Sequence, residues 1–273
     1  MELVVFDLDG TLLDASAQIS PFTRETLMLL AANGIAYTVA TGRARHAAQD
    51  ILASHRFELP QAFKNGVLIW DPKAAGYSHH QWLTAEEIGH VVDAMAKAAI
   101  TPFLSTLEAD GQHRIFHPPI AGEHDEMLAS SLADRPGVSL HAIAELPWNA
   151  EISSISGLGS PAAVAAIEVL IAAERNLVAY GGPALEGPDL AWIDIHHVDG
   201  TKGNAVQRMS SSLGVERVIC FGDSDNDLSM FEIAHEAYAP RNALDVVKDA
   251  ATEVIGHHDE DGIARFLRDR FSL

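Results

Sequence analysis

The sequence predicts an α/β protein: a Rossmann-like core, with a parallel sheet flanked by helices, carrying an inserted α+β segment. Three observations predict it. Short apolar runs alternate with helical patterns at both ends of the chain, as parallel strands joined by crossover helices require. In the middle the patterning turns antiparallel. Polar, mostly acidic residues collect directly after strands of the first kind, where open α/β sheets bind their ligands.

Taken in order, Leu3–Phe6 is the first strand. Ser20 is an N-cap with Pro21 at the first helical position, and that helix stops at Asn33-Gly34. Ile35–Ala40 reads as the second strand, Ala44–Ser54 as a helix, and Gly66–Trp70 as a third strand. Thr84 with Glu87 forms a capping box that opens a helix to about Ala99. Asp110-Gly111 is a hairpin signal within the stretch 102–118. Ser160-Pro161 opens a helix between strands at Ile152–Ser156 and Leu177–Tyr180, and Leu190–Ile195 is a further strand. The first pattern then returns. A helix over Lys202–Leu213 is closed by Gly214, a strand follows at Arg217–Phe221, and Asn242–Ala250, Glu253–Ile255 and Asp261–Phe271 read as helix, strand and helix. The core is therefore expected at 1–76 and 197–273, with the insertion at 77–196.

The 273 residues, 48% hydrophobic and 21% charged, suffice for a large core and exclude a disordered or low-complexity chain. A formal net charge of −20 argues against nucleic acid as a partner, since such binding rests on a basic face. No apolar run approaches the roughly 18 residues of a membrane span, and MELVVFDLDG starts directly in a strand without a secretory pattern. No membrane partner is expected, and the expected location is cytoplasmic. Cys220, the single cysteine, excludes an intramolecular disulfide and reads as a core residue.

The chemistry gathers at three strand ends. Asp7 and Asp9, two apart in an extended segment, are expected to point to one side. Thr41-Gly42-Arg43 follows the second strand. Asp223 and Asp227, about one helical turn apart, follow the Arg217–Phe221 strand. Carboxylates crowded in one pocket repel by about 4 kcal/mol per pair at ~4 Å in an effective dielectric of 20, so they take up protons or hold a cation. Magnesium, a hard cation with oxygen ligands, is the economical choice. Thr41, the amides around Asp9-Gly10-Thr11 and Lys202 are candidate anion donors. Carboxylates, a hard metal, a hydroxyl and a lysine around one point are the parts that phosphoryl transfer needs. Three His-His pairs, His79-His80, His196-His197 and His257-His258, read as surface residues, because adjacent side chains do not share a face.

FDLDGTLLD, the TGR after the second strand, Lys202 in GTKGNAV, and FGDSDNDLSMF resemble the four ordered motifs of the haloacid dehalogenase-like superfamily. Asn65-Gly66, the long insertion and DEDGIARFL resemble its Cof-type (subclass IIB) phosphatases, and the resemblance spans nearly the whole chain. It implies a magnesium-dependent phosphatase acting on a small phosphorylated metabolite, with a sugar phosphate as first guess, through an aspartyl-phosphate. Asp7 would be the nucleophile and Asp9 the acid and base. Magnesium would take the Asp7 carboxylate, the Asp9 carbonyl and Asp223, while Asp227 would hold metal-bound waters or orient Lys202. Thr41 and Lys202 would grip the phosphoryl group, and the insertion would be a cap that selects the leaving group. Gly42, Arg43, Asn65 and Asn226 are further candidates for substrate or phosphate contact, Arg43 equally for an ion pair. Within the insertion His113, Arg114 and His117 are candidate pocket residues. Where the subgroup has a glycine-containing turn, this chain reads Ala239-Pro240-Arg241-Asn242-Ala243, which makes Arg241 another candidate. The rival functions are a phosphomutase of the same superfamily and a non-catalytic phospho-accepting regulator. A regulator of that kind sets its acidic pair and its acceptor on different strands, unlike Asp7 and Asp9.

Overall fold

The computed structural model describes residues 2–107, 112–120, 122–184 and 187–273. In chain order, β1 (Glu2–Phe6), α1 (Pro21–Ala32), β2 (Ala36–Val39), α2 (Arg45–Ala53), β3 (Gln61–Phe63), β4 (Leu68–Asp71) and β5 (Gly76–His80) come first. Next are α3 (Ala85–Lys97), β6 (Phe103–Leu107), β7 (His113–His117), α4 (Glu123–Ala133), β8 (Val138–Ala142), β9 (Ile152–Gly159), α5 (Pro161–Ile171), β10 (Leu177–Pro183) and β11 (Ala191–His197). The chain ends with α6 (Lys202–Leu213), β12 (Arg217–Phe221), α7 (Leu228–Ile233), β13 (Glu236–Pro240), α8 (Asp245–Ala250), β14 (Glu253–Ile255) and α9 (Gly262–Phe271).

Two compact units result, Met1–His80 with Gly200–Leu273, and Gln81–Asp199. In the first, β14-β13-β12-β1-β2 form a parallel sheet. Its strands are apolar on both faces because helices cover both. Leu3 and Val5 of β1 pack with Cys220, Val206 and Val247 on one side. On the other side Phe6, Phe221, Tyr238 and Phe266 stack at 5.4, 5.4 and 4.2 Å between successive ring centres. Phe6 and Phe221, fully buried, each contribute about 1.5–3 kcal/mol. The fold class is thus the one expected.

The helix signals act locally as their chemistry requires. Ser20 accepts the Thr23 N–H at 3.0 Å at the start of α1, Thr84 and Glu87 close a capping box on α3, and Gly214 ends α6 at φ 63°. One expectation needs correction. The segment 66–70 does not extend the parallel sheet; β4 pairs antiparallel with both β3 and β5. Lys64, Asn65 and Gly66 are successive left-handed residues (φ 47°, 56° and 103°), which reverse the chain and make β3 and β4 a hairpin. Through β5 the first unit reaches His80 rather than 76.

The second unit is a mostly antiparallel six-stranded sheet in the order β10-β11-β9-β6-β7-β8, in which only β7 and β8 run parallel. Leu104, Ile155 and Ile193 pack with Val91 of α3 and Ile167 of α5, while Phe103 and Ile115 pack with Ala129 of α4. β6 and β7 pair antiparallel, as the hairpin reading required, but Asp110-Gly111 lies outside the described residues. Among the described residues, no helix is long and apolar enough to cross a membrane.

Candidate active site

β1 ends at Phe6, and the next residue begins the chemistry. Asp7 donates its main-chain N–H to the Phe221 carbonyl at 2.9 Å, which fastens it to the end of β12. Gly10 then turns the chain at φ 73°, and a Cβ there would lie 2.5 Å from Asp223 Oδ2, so only glycine lets this loop press against the loop after β12. Thr11 Oγ1 completes the contact by donating to Asp223 Oδ1 at 2.8 Å.

Lys202 starts α6, whose cap is Thr201, and its side chain is buried with 1% exposure. Its ammonium donates to Asp7 Oδ1 at 2.7 Å and to Asp227 Oδ1 at 2.6 Å. Asp227 Oδ2 accepts the Asp223 and Ser224 N–H groups at 2.8 and 3.0 Å. Both Asp227 oxygens are therefore used within the chain. That favours orientation of Lys202 over direct ligation of a metal.

Burial pushes the Asp7 carboxyl well above the ordinary carboxylate range; Lys202 opposes this, and Asp227 and Asp223 add to it. Asp223 is raised by burial and by Asp227, against the Thr11 hydroxyl. Burial would lower the Lys202 ammonium, but Asp227 and Asp7 outweigh it and hold it above its usual value. Carboxylate oxygens of Asp7, Asp223 and Asp227 lie within 4.8 Å of one another. Lys202 hydrogen-bonds two of these carboxylates, while Asp223 accepts the hydroxyls of Thr11 and Ser224. An all-oxygen donor set with excess negative charge fits a hard divalent cation held by Asp7 and Asp223.

Asp9 does not join this cluster. The strand has ended, and its carboxylate turns to Arg43, whose Nε and Nη2 donate to the two oxygens at 2.7 and 2.5 Å. The Asp9 side chain is 58% exposed. Arg43 is thus seen as an ion-pair partner. Thr41, fully buried after β2, accepts the Arg43 N–H on Oγ1 at 3.1 Å, which leaves its hydroxyl proton to donate elsewhere.

Asn65 and Asn226 join loops rather than standing apart. The Asn65 N–H reaches the Thr41 carbonyl at 2.9 Å, and Asn226 Nδ2 donates to Asn65 Oδ1 at 3.0 Å. Gly42 lies against the same Asn65 amide. At Gly66 a Cβ would meet the Thr201 carbonyl oxygen at 2.2 Å, so the left-handed turn also sits tightly on the cap of α6.

Other expectations fare differently. His113 and His117 share one face of β7, whereas Arg114, between them in the alternation, stands on the other, so the three cannot line one surface. Of the histidine pairs, His196 is buried rather than exposed, its ring 5.6 Å from that of Tyr180. Arg241 is exposed and borders a cavity of about 510 Å³ with Gly256, Arg265 and Phe266. Asn242, which lies in the 239–243 turn but was not a candidate, donates from Nδ2 to the Gly10 carbonyl at 2.7 Å. A contact between residues 232 positions apart leaves no local signal.

Comparison with known proteins identifies the family. The family model for haloacid dehalogenase-like hydrolases matches residues 4–267. The chain is 28% identical to the 5-amino-6-(5-phospho-D-ribitylamino)uracil phosphatase YitU of Bacillus subtilis, over 99% of this chain and 98% of that protein. It is 23% identical to the pyridoxal phosphate phosphatase YbhA of Escherichia coli, over 97% of each. A solved subclass IIB sugar phosphatase superposes with a TM-score of 0.77 at 21% identity, over 100% of this chain and 99% of that one. The chain belongs to the haloacid dehalogenase-like hydrolase family.

Proposed function

We propose that this hydrolase is a magnesium-dependent phosphatase that cleaves a small phosphomonoester through an aspartyl-phosphate on Asp7. The observation that carries the reading is the buried Lys202 bridging Asp7 and Asp227, with Asp223, held by the hydroxyls of Thr11 and Ser224, beside them. Asp7 and Asp223, with the Asp9 main-chain carbonyl, would hold magnesium, which supplies positive charge against the phosphoryl oxygens.

The residues then divide the work. Lys202 occupies Asp7 Oδ1 and leaves Oδ2 to attack phosphorus. The phosphorus–oxygen bond to the leaving group breaks as the Asp7–phosphorus bond forms, and Asp9 gives the departing oxygen its proton. Asp9, now a carboxylate, takes a proton from water, which attacks phosphorus and returns Asp7 with inorganic phosphate. The Thr41 hydroxyl and the Lys202 ammonium hold the phosphoryl oxygens in both steps. Arg43 must release Asp9, at least in part, for it to serve as acid.

The named relatives act on a phosphorylated ribityl pyrimidine and on pyridoxal phosphate. A phosphate ester on a sugar-like or hydroxymethyl carbon beside a ring is accordingly the substrate class to test first, with the Gln81–Asp199 unit as the part that selects the leaving group. The experiment is phosphate release from a panel of ribityl, sugar and pyridoxal phosphates, with magnesium and with a chelator. Release without conversion to a phosphate isomer, lost on chelation, is expected. Isomerisation without release would make the protein a mutase, and turnover unaffected by chelation would remove the metal.

A further inference from the structure

The loop after β1 is fastened by a further set of residues that the reaction does not use. Asn242 Nδ2 donates to the Gly10 carbonyl at 2.7 Å, and Asn242 Oδ1 accepts the His258 N–H at 3.2 Å. His258 reaches the same loop itself, its Nδ1 lying 2.7 Å from the Leu13 carbonyl. Asp259 accepts the Ala15 N–H at 2.7 Å, and Asp261 accepts the hydroxyls of Ser20 and Thr23. The DEDG segment before α9 and the residue after Pro240-Arg241 thus form one strap over residues 10–23.

We propose that Asn242 is a positioning residue that aims the Thr11 N–H at the phosphoryl group, an inference that rests on the phosphatase reading above. In a trans peptide the carbonyl and the following N–H point in opposite directions, so a donor on the Gly10 oxygen also fixes the direction of the Thr11 N–H. Gly10, at φ 73°, lacks the steric preference that would hold this plane in another residue. An external tether is therefore needed. Asp223 holds the Thr11 hydroxyl at 2.8 Å, and Asn242 holds the Gly10 carbonyl at 2.7 Å. Its own amide is oriented by the His258 N–H, which leaves Nδ2 facing Gly10.

Asn242→Asp is the direct test, because it keeps the acceptor for His258 and replaces the donor to Gly10 with an oxygen. Wild-type turnover and its inhibition by inorganic phosphate are measured first, so that a failure of the phosphatase reading shows in the wild type and a failure of the tether shows only in the variant. Three changes are expected together: inhibition by inorganic phosphate weaker by about tenfold or more, kcat/KM lowered by a similar factor for every ester with unchanged ranking, and faster amide exchange across residues 9–13. Val246→Ala, at an exposed position of α8, should leave all three within about twofold. Asn242→Ala, without the added charge, is judged by the same criteria. A folded variant with wild-type phosphate inhibition overturns the proposal, as does faster exchange with undiminished turnover. So does a wild-type chain whose residues 9–13 exchange like an unstructured loop, whatever the variants do.

Discussion

Replacing Lys202 by methionine removes the one ammonium that lies between two buried carboxylates. Each contact, at 2.7 and 2.6 Å, corresponds to about 6 kcal/mol of Coulomb attraction at an effective dielectric of 20, most of it offset by the desolvation of all three groups. Taking away one partner of such a set leaves charge stranded, at a cost of about 3–5 kcal/mol. At about 2–4 °C per kcal/mol for a chain of this size, the melting temperature should fall by roughly 6–20 °C near neutral pH. The pH dependence carries the diagnostic information. Burial already raises Asp7, and Lys202 is what opposes it, so the variant raises Asp7 further. A raised carboxyl binds a proton in the folded state that the unfolded chain has released above pH ~4, so stability falls by up to about 1.4 kcal/mol per pH unit as pH rises towards the folded-state value. The assay is calorimetry from pH 5 to 8, with and without magnesium. The loss should be smallest at pH 5, grow towards pH 8, and shrink when magnesium supplies the missing positive charge. A variant that melts with the wild type, or whose deficit is the same at every pH, would refute the claim that Lys202 neutralises Asp7.

Asp7→Asn should abolish turnover because an amide does not attack phosphorus, while Asp9→Asn should keep inorganic phosphate binding and lose about 10²–10⁴ in kcat; steady-state kinetics decide both, and near-normal turnover of Asp7→Asn removes the covalent step. Gly66→Ala should lower stability by about 2–4 kcal/mol, from a left-handed backbone and a Cβ 2.2 Å from the Thr201 oxygen, and an unchanged denaturation midpoint would contradict that packing.

What could be read from the sequence follows the range of the interactions involved. The caps at Ser20, Thr84, Ser160 and Thr201 act over three residues, and each is where side-chain chemistry placed it or adjoins an expected helix start. Asp7, Asp223 and Asp227 also meet, since the parallel pairing of β12 with β1 brings those strand ends together, and Lys202 reaches them from the start of α6. The direction of a short apolar run was not legible. Residues 66–70 are as apolar in a hairpin as in a parallel sheet, and only the left-handed Lys64-Asn65-Gly66 turn decides between them. The partner of Asp9 was equally hidden, because spacing along an extended segment predicts a side and not a neighbour 34 residues away.

The separation of Asp7 from Asp9 bears on how one short segment can serve both halves of a phosphatase reaction. A nucleophile must be kept from water and held in line with phosphorus, and Asp7 is buried with one oxygen fixed by Lys202. A group that gives up a proton in one step and accepts one in the next must instead reach both the leaving oxygen and the attacking water. The exposure of Asp9 suits it for that, and the guanidinium of Arg43 holds its carboxylate off the crowded cluster, where a fourth negative charge would add repulsion of about 4 kcal/mol for each neighbour at ~4 Å. On the proposed reading, two like residues take different chemistry on either side of Leu8. At Gly10 the missing Cβ admits Asp223 beside Asp7.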